Sequence, residues 1–179
     1  MSVLAYVTDR DFRVSDRLLD WSPPRWFRLW MLWASRLGDG WLWLVAGLAL
    51  AAGGTEGHRV LAGAAVSAGL ANILLVLVKG RVRRARPCER ARPSHSGVKP
   101  LLCFPSDRYS FPSGHSLNAF AIGSVIALAF PVAAPPVLAV AASVAASRVV
   151  LGLHFVSDVV AGALLGSLIG ASVWALLLG

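Results

Sequence analysis

Charged side chains are scarce in this sequence. They make up 15% of its 179 residues, against about 25% in an ordinary soluble domain, and that shortage argues against a water-soluble globule. Acidic residues are scarcer still, with nine Asp and Glu facing 17 Lys and Arg, and no stretch gathers the carboxylates suited to Mg²⁺. Residues 5–20 mix Asp with Arg and hold no apolar core of the length a signal peptide needs. There is no internal repeat and no low-complexity segment, so the chain reads as a single domain, 1–179. Cysteine is nearly absent: Cys88 and Cys103 are the only two.

Apolar residues are plentiful, at 56% of the chain. A helix crosses a bilayer with roughly 20 mostly apolar residues. Residues 60–78 and 159–179 carry no charge. Residues 116–147 are also uncharged but too long for one span, and Pro131, Pro135 and Pro136 divide them into two helices with a tight turn. Residues 41–54 reach spanning length only when 37–40 are added. The sequence therefore predicts an all-α integral membrane bundle, with about five transmembrane helices in residues 37–179. Residues 1–36 form an N-terminal interfacial region. After Pro23-Pro24, Arg25, Arg28 and Arg36 fall on one helical face, and Trp26, Phe27, Trp30, Trp33 and Ala34 on the other. That pattern suits an amphipathic helix lying in the headgroup layer, with a cap packed over the bundle as the alternative.

The positive charge is concentrated. Tracing five spans puts 16 of the 17 basic residues on one side of the membrane, Arg59 being the exception. A basic loop tethered at a bilayer is poorly placed for nucleic acid, so anionic lipid headgroups are the natural partner.

Three segments on that face carry chemistry. The first is Lys79-Gly-Arg-Val-Arg-Arg-Ala-Arg86-Pro87, which taken alone is a common juxtamembrane basic cluster. The second is Pro112-Ser113-Gly114-His115, where a polar loop turns into a span; a helix start leaves backbone N–H groups free to meet an anion. The third runs from Ser147-Arg148 through His154 to Asp158. His154 and Asp158, four apart, share a face if the last span begins there. Ionisable residues at the edges of apolar spans suggest function. Asp39, in Leu-Gly-Asp-Gly, reads as a helix cap, with a headgroup contact as its rival. His58 and His95 read as loop residues.

In this order, Lys-x6-Arg-Pro, Pro-Ser-Gly-His and Ser-Arg-x5-His-x3-Asp resemble the pattern of the type-2 phosphatidic acid phosphatase family, and every defining position is present. The resemblance implies a membrane enzyme that hydrolyses a lipid phosphomonoester or diphosphate, of the undecaprenyl diphosphate or phosphatidylglycerophosphate and phosphatidate class. It also implies roles. Lys79, Arg86 and Arg148 would clamp the phosphate, with hydrogen bonds from Ser113 and Gly114. His154 would attack phosphorus, Asp158 would orient its ring, and His115 would protonate the leaving group. Cationic side chains would stand in for a metal, so no metal and no cofactor are implied. Vanadium-dependent haloperoxidases share the motif set but are soluble, and a phospholipid-binding or transport protein would have no use for this trio.

Sidedness is pulled two ways. The positive-inside rule puts the basic face in the cytoplasm. Cys88 and Cys103 bracket one loop and could bridge in an oxidising compartment, or be two unrelated thiols. Bacterial members of the resembled family mostly face outward, which places this chain in a bacterial inner membrane with its site on the periplasmic or extracellular face.

Overall fold

The computed structural model describes residues 3–90 and 109–179, and every regular element among them is helical. In chain order the α-helices are α1 (Val3–Asp20), α2 (Arg25–Arg36), α3 (Leu42–Ala51), α4 (Gly54–Val82), α5 (Pro87–Arg90), α6 (Gly114–Ala129), α7 (Ala134–Val150) and α8 (Val156–Val173).

Three of the helical stretches are long and apolar enough to cross a bilayer: Gly54–Glu89, Pro131–Val150 and Val156–Leu178. The expected split of 116–147 is present, because Pro131 stops the path after α6 and Pro135-Pro136 occupy the opening turn of α7, where a missing N–H costs nothing. The other two expected spans are shorter than predicted. The apolar α6 has 16 residues, and α3 has ten. The reason at α3 is a bend: Leu37–Trp41 form a wide turn with Gly40 at φ 113°, a conformation glycine adopts without steric cost. The bend separates α3 from α2.

The core is centred on α6, which packs on α4, α7 and α8. Lipid tails are as apolar as leucine, so helices in a membrane associate through close packing of small residues. Along α8, Gly162, Gly166 and Gly170 recur every fourth residue and face α6. A Cβ added at these positions would stand 2.7 Å from the Ser113 carbonyl oxygen, 2.3 Å from that of Leu117 and 2.4 Å from that of Ala121. The two backbones therefore touch along three successive turns. Leu117 and Ala121 join Ala71 of α4 in one cluster, while Ala119 joins Ala141 and Val144 of α7 in another.

At the N-terminus the structure differs from expectation in two ways. Residues 3–20, given no element from sequence, form the amphipathic α1, which buries Asp11 and Ser15 against the bundle. α2 is helical as predicted, but it combines both readings offered for it. Met31, Ala34 and Ser35 are buried against α7, while Trp26, Trp30 and Trp33 remain exposed. Ala34 thus belongs to the packed face rather than to the tryptophan face. His58 is an exposed residue of α4 and not of a loop, and His95 lies outside the described residues. At the far end, Arg59 pairs with Glu56 and donates to the Leu178 carbonyl, which accounts for the one basic residue away from the others.

Candidate active site

A cavity of about 1180 Å³ lies where α4 ends and α6 and α8 begin. Six of the eight sequence-predicted residues line it: Lys79, Arg86, Gly114, His115, Arg148 and His154. The remaining two, Ser113 and Asp158, are fully buried behind the wall. Its upper rim is contributed by α2 and the bend that follows, through Trp33, Arg36 and Asp39.

His154 sits in the short turn between α7 and α8. The Arg148 carbonyl accepts from the backbone N–H groups of both Leu153 and His154, at 3.0 Å each. Arg86 Nη1 donates to the Leu153 carbonyl at 3.0 Å and lies 3.3 Å from His154 Nε2. On the other side of the ring, His154 Nδ1 is 2.7 Å from the Ser110 carbonyl oxygen. A carbonyl can only accept, so Nδ1 carries the proton and Nε2 presents its lone pair. Burial pushes the His154 pKa down to about 4, which keeps the ring neutral at ordinary pH.

The sequence assigns the orienting role to Asp158, and the structure sets that carboxylate beside the ring. Asp158 Oδ2 stands 3.7 Å from His154 Nδ1 and accepts instead from the Phe155 N–H at 2.9 Å. Its Oδ1 accepts from Arg84 Nη1 at 2.7 Å. The two meet because His154 lies in the turn before α8 and Asp158 in its first turn, not because both ride one helix face. Asp158 is thus a fixed negative charge beside the imidazole, and the Ser110 carbonyl is the nearer acceptor for Nδ1.

Arg84 ties this carboxylate to the N-terminal helix. Its Nη2 donates to Asp11 Oδ2 at 2.7 Å, and its guanidinium lies 4.1 Å from the centroid of the Phe155 ring. Asp11 Oδ1 also accepts from the Ser157 N–H at 3.1 Å, and the Ser157 hydroxyl donates to Asp11 Oδ2. Phe12 meets Phe155 edge-on, with centroids 5.4 Å apart. Buried carboxylates need partners, and one arginine serves two.

Across the cavity, His115 Nε2 lies 2.7 Å from Asp39 Oδ1. Asp39 is therefore neither a helix cap nor a lone headgroup contact but a partner of the second histidine. The approach needs Gly38, where a Cβ would stand 2.8 Å from the His115 ring. Arg148 Nη1 donates to the Ser35 hydroxyl at 2.5 Å, while its buried Nε has no partner among the described residues.

Ser113 is placed differently from expectation. Its hydroxyl caps α6 and accepts from Ser116, and its N–H donates to the Asp158 carbonyl at 3.0 Å. It joins the starts of α6 and α8 instead of meeting the cavity. Cys88 is buried and disulfide-bonded, and its N–H donates to the Gly152 carbonyl at 3.2 Å. Cys103, the partner the sequence offers, lies outside the described residues.

Sequence reasoning missed Ser110, Arg84 and Asp11. The Ser110 contribution is a backbone carbonyl, invisible in any motif. Arg84 was one of five arginines and lysines in a basic run, with nothing in the run to distinguish it.

Comparison with known proteins points to one family. Residues 60–178 match the family model of the PAP2 superfamily. The decaprenylphosphoryl-5-phosphoribose phosphatase of Mycobacterium tuberculosis (strain CDC 1551 / Oshkosh) is 35% identical over 138 residues, covering 75% of this chain and 70% of that protein. The crystal structure of the transmembrane PAP2-type phosphatidylglycerolphosphate phosphatase from Bacillus subtilis superposes with a TM-score of 0.70 at 26% identity, covering 95% of this chain and 85% of the other. Aquifex aeolicus LpxE has the same fold, with a TM-score of 0.75 at 22% identity and 92% coverage of each chain. By the matched residues and by this likeness, the chain belongs to the PAP2 superfamily and is a helical membrane phosphatase.

Proposed function

We propose that the protein hydrolyses the phosphomonoester or diphosphate of a membrane lipid through a phosphohistidine on His154. One observation carries the reading: the Nδ1–H of His154 is held by the Ser110 carbonyl, and its Nε2 lone pair is turned toward Arg86 at the cavity wall. In the resting site an Arg86 N–H occupies that lone pair. A substrate phosphate draws the guanidinium onto its own oxygens and frees Nε2.

Lys79, Arg86 and Arg148 then neutralise charge on the phosphoryl oxygens, the main requirement of phosphoryl transfer. Nε2 forms the N–P bond as the bond to the leaving oxygen breaks. His115, oriented by Asp39, gives that oxygen a proton. Asp158 offsets the positive charge on the phosphorylated ring. Water next attacks phosphorus, His115 takes its proton, and phosphate leaves with His154 restored. Neither a metal nor a cofactor enters these steps.

In this reading residues 1–179 form one membrane-embedded domain, supported by the docking of α1 through Asp11 and of α2 through Ser35. The membrane is a bacterial inner membrane with the site facing outward. Support for that face comes from the bonded state of Cys88 beside the site. A membrane-impermeant maleimide that labels intact cells only after mild reduction fits this placement; thiols that react only after lysis, without reductant, move the site to the cytoplasm.

The activity test is phosphate release in detergent, with EDTA present, from a polyprenyl diphosphate, phosphatidylglycerophosphate and phosphatidate. Release from at least one of them by wild type, and none by His154→Ala, is expected. Binding without release identifies a binder, and activity that vanishes on chelation and returns with Mg²⁺ overturns the metal-free mechanism.

A further inference from the structure

The chain contains two asparagines and no glutamine, and the fold brings both carboxamides together on the cavity wall. Asn72 belongs to α4 and Asn118 to α6, and Asn118 Nδ2 donates to Asn72 Oδ1 at 3.2 Å. Both line the cavity, each within a largely apolar stretch of its helix. Asn72 is exposed and Asn118 half-buried, so both carboxamides are open to a ligand in the cavity.

The hydrogen-bond count leaves two groups over. Asn118 Nδ2 uses its two hydrogens on Asn72 Oδ1 and on the Gly114 carbonyl at 3.1 Å. Asn72 Nδ2 gives one hydrogen to the Ala68 carbonyl at 2.9 Å. One Asn72 N–H and the Asn118 Oδ1 therefore have no partner among the described residues. They are one donor and one acceptor on adjacent side chains.

Their depth is fixed by the helices. Asn118 is one turn below His115 on α6. Asn72 is seven residues before Lys79 on α4, or about 10 Å along the axis at 1.5 Å per residue. A substrate whose phosphate lies among Lys79, Arg86, Arg148 and His154 therefore passes the amide pair roughly 5 to 10 Å farther along its length. A polyprenyl diphosphate is largely hydrocarbon at that distance. Phosphatidate offers ester carbonyls, which only accept. A hydroxyl both accepts from Asn72 and donates to Asn118, and it satisfies the pair completely.

We propose that Asn72 and Asn118 form a subsite for a hydroxylated spacer, so that the preferred substrate is a lipid phosphomonoester whose phosphate is carried on a glycerol or sugar. This rests on the phosphatase reading above and deepens it. The rival role for the pair is a hydrogen bond that holds α4 to α6, and it is separable by experiment.

The test compares kcat/KM in detergent for phosphatidylglycerophosphate, which has a free hydroxyl in its spacer, with phosphatidate and a polyprenyl diphosphate, which do not. Wild type is expected to prefer the first. In Asn72→Leu and in Asn118→Leu, the ratio of phosphatidylglycerophosphate to phosphatidate turnover should fall about tenfold, as for one lost hydrogen bond. A wild-type preference for either substrate without a hydroxyl overturns the proposal, and this holds even where the variants do not fold. An equal loss on all three lipids makes the pair a structural tie and also overturns it. Release from none of the three by wild type refutes the phosphatase reading instead.

Discussion

His154 Nδ1 lies 2.7 Å from the Ser110 carbonyl oxygen, whereas Asp158 Oδ2 stands 3.7 Å from the same nitrogen. In the proposed mechanism a main-chain atom holds the attacking tautomer, and the carboxylate acts on the ring through charge. In a Ser-His-Asp triad the Asp fixes the tautomer, and replacing it by Asn costs about 10⁴-fold. Asp158→Asn should therefore fall well short of that, by roughly 10- to 100-fold in kcat, since the electrostatic contribution alone is lost. Steady-state kinetics on a lipid phosphate decide it. A loss near 10⁴-fold would mean that Asp158, not Ser110, holds the ring.

In the proposed mechanism His115 acts on the leaving group and later on water. His115→Ala should lower turnover about 10²- to 10⁴-fold, most severely with alkoxide leaving groups. With an activated aryl phosphate, which leaves without a proton, the first step survives and phosphorylated His154 accumulates. Acid-labile, base-stable radiolabel on the protein from a labelled aryl phosphate, absent from the double variant with His154→Ala, is the expected result. A label that persists in that double variant places the intermediate elsewhere.

Asp11 shares Arg84 with Asp158. Removing Asp11 leaves Arg84 paired with Asp158 but takes away the carboxylate that holds α1, so the loss should fall below the roughly 3–5 kcal/mol of a fully stranded buried charge. Asp11→Ala should release α1 from the bundle, lowering the midpoint of thermal unfolding in detergent and exposing residues of α1 to limited proteolysis. Unchanged cleavage and an unchanged midpoint would show that α1 is held by its apolar contacts, such as Phe12 on Phe155.

Gly166 and Gly69 give opposite expectations for the same change. A Cβ at Gly166 would meet the Leu117 carbonyl oxygen at 2.3 Å, and backbone cannot rotate away; a Cβ at Gly69 meets nothing within 4 Å. Gly166→Ala should prevent recovery of folded protein, or leave it several kcal/mol less stable, as when a packed core is overfilled. Gly69→Ala should be neutral or slightly stabilising, by up to about 1 kcal/mol. Yield and unfolding midpoint in detergent compare the two directly.

Much of this was legible in the residues. Long uncharged runs have one inexpensive solution in a bilayer, the helix, so α4, α7 and α8 were foreseeable. Lys79, Arg86, His115, Arg148 and His154 stood out through the order and spacing of three motifs taken together, since the basic cluster alone is common. Other features left weaker traces. α1 mixes charge with apolar residues at helical spacing, but its buried side carries Asp11, and that burial makes sense only beside Arg84, 73 residues away. Asp39 could not be matched to His115 by any local pattern, since a bend at Gly38 to Gly40 brings them together across 76 positions. The glycines of α8 were visible at fourfold spacing, yet hydropathy treats them only as uncharged.

Asp158 precedes Gly162, Gly166 and Gly170 by whole steps of four, so the carboxylate shares an angular phase with the line along which α8 touches α6. One residue inserted at 159–161 would keep α8 apolar and helical while turning His154 and Asp158 together by about 100° relative to the line of contact with α6. No neighbouring side chain could repack to absorb that rotation, because the contact below it is main chain against main chain. The opposite wall of the cavity, on α2 and α4, is made of side chains that can be exchanged one at a time. Divergence in the lipids accepted is therefore free to proceed on that wall, while the spacing from His154 to Gly170 stays fixed in length.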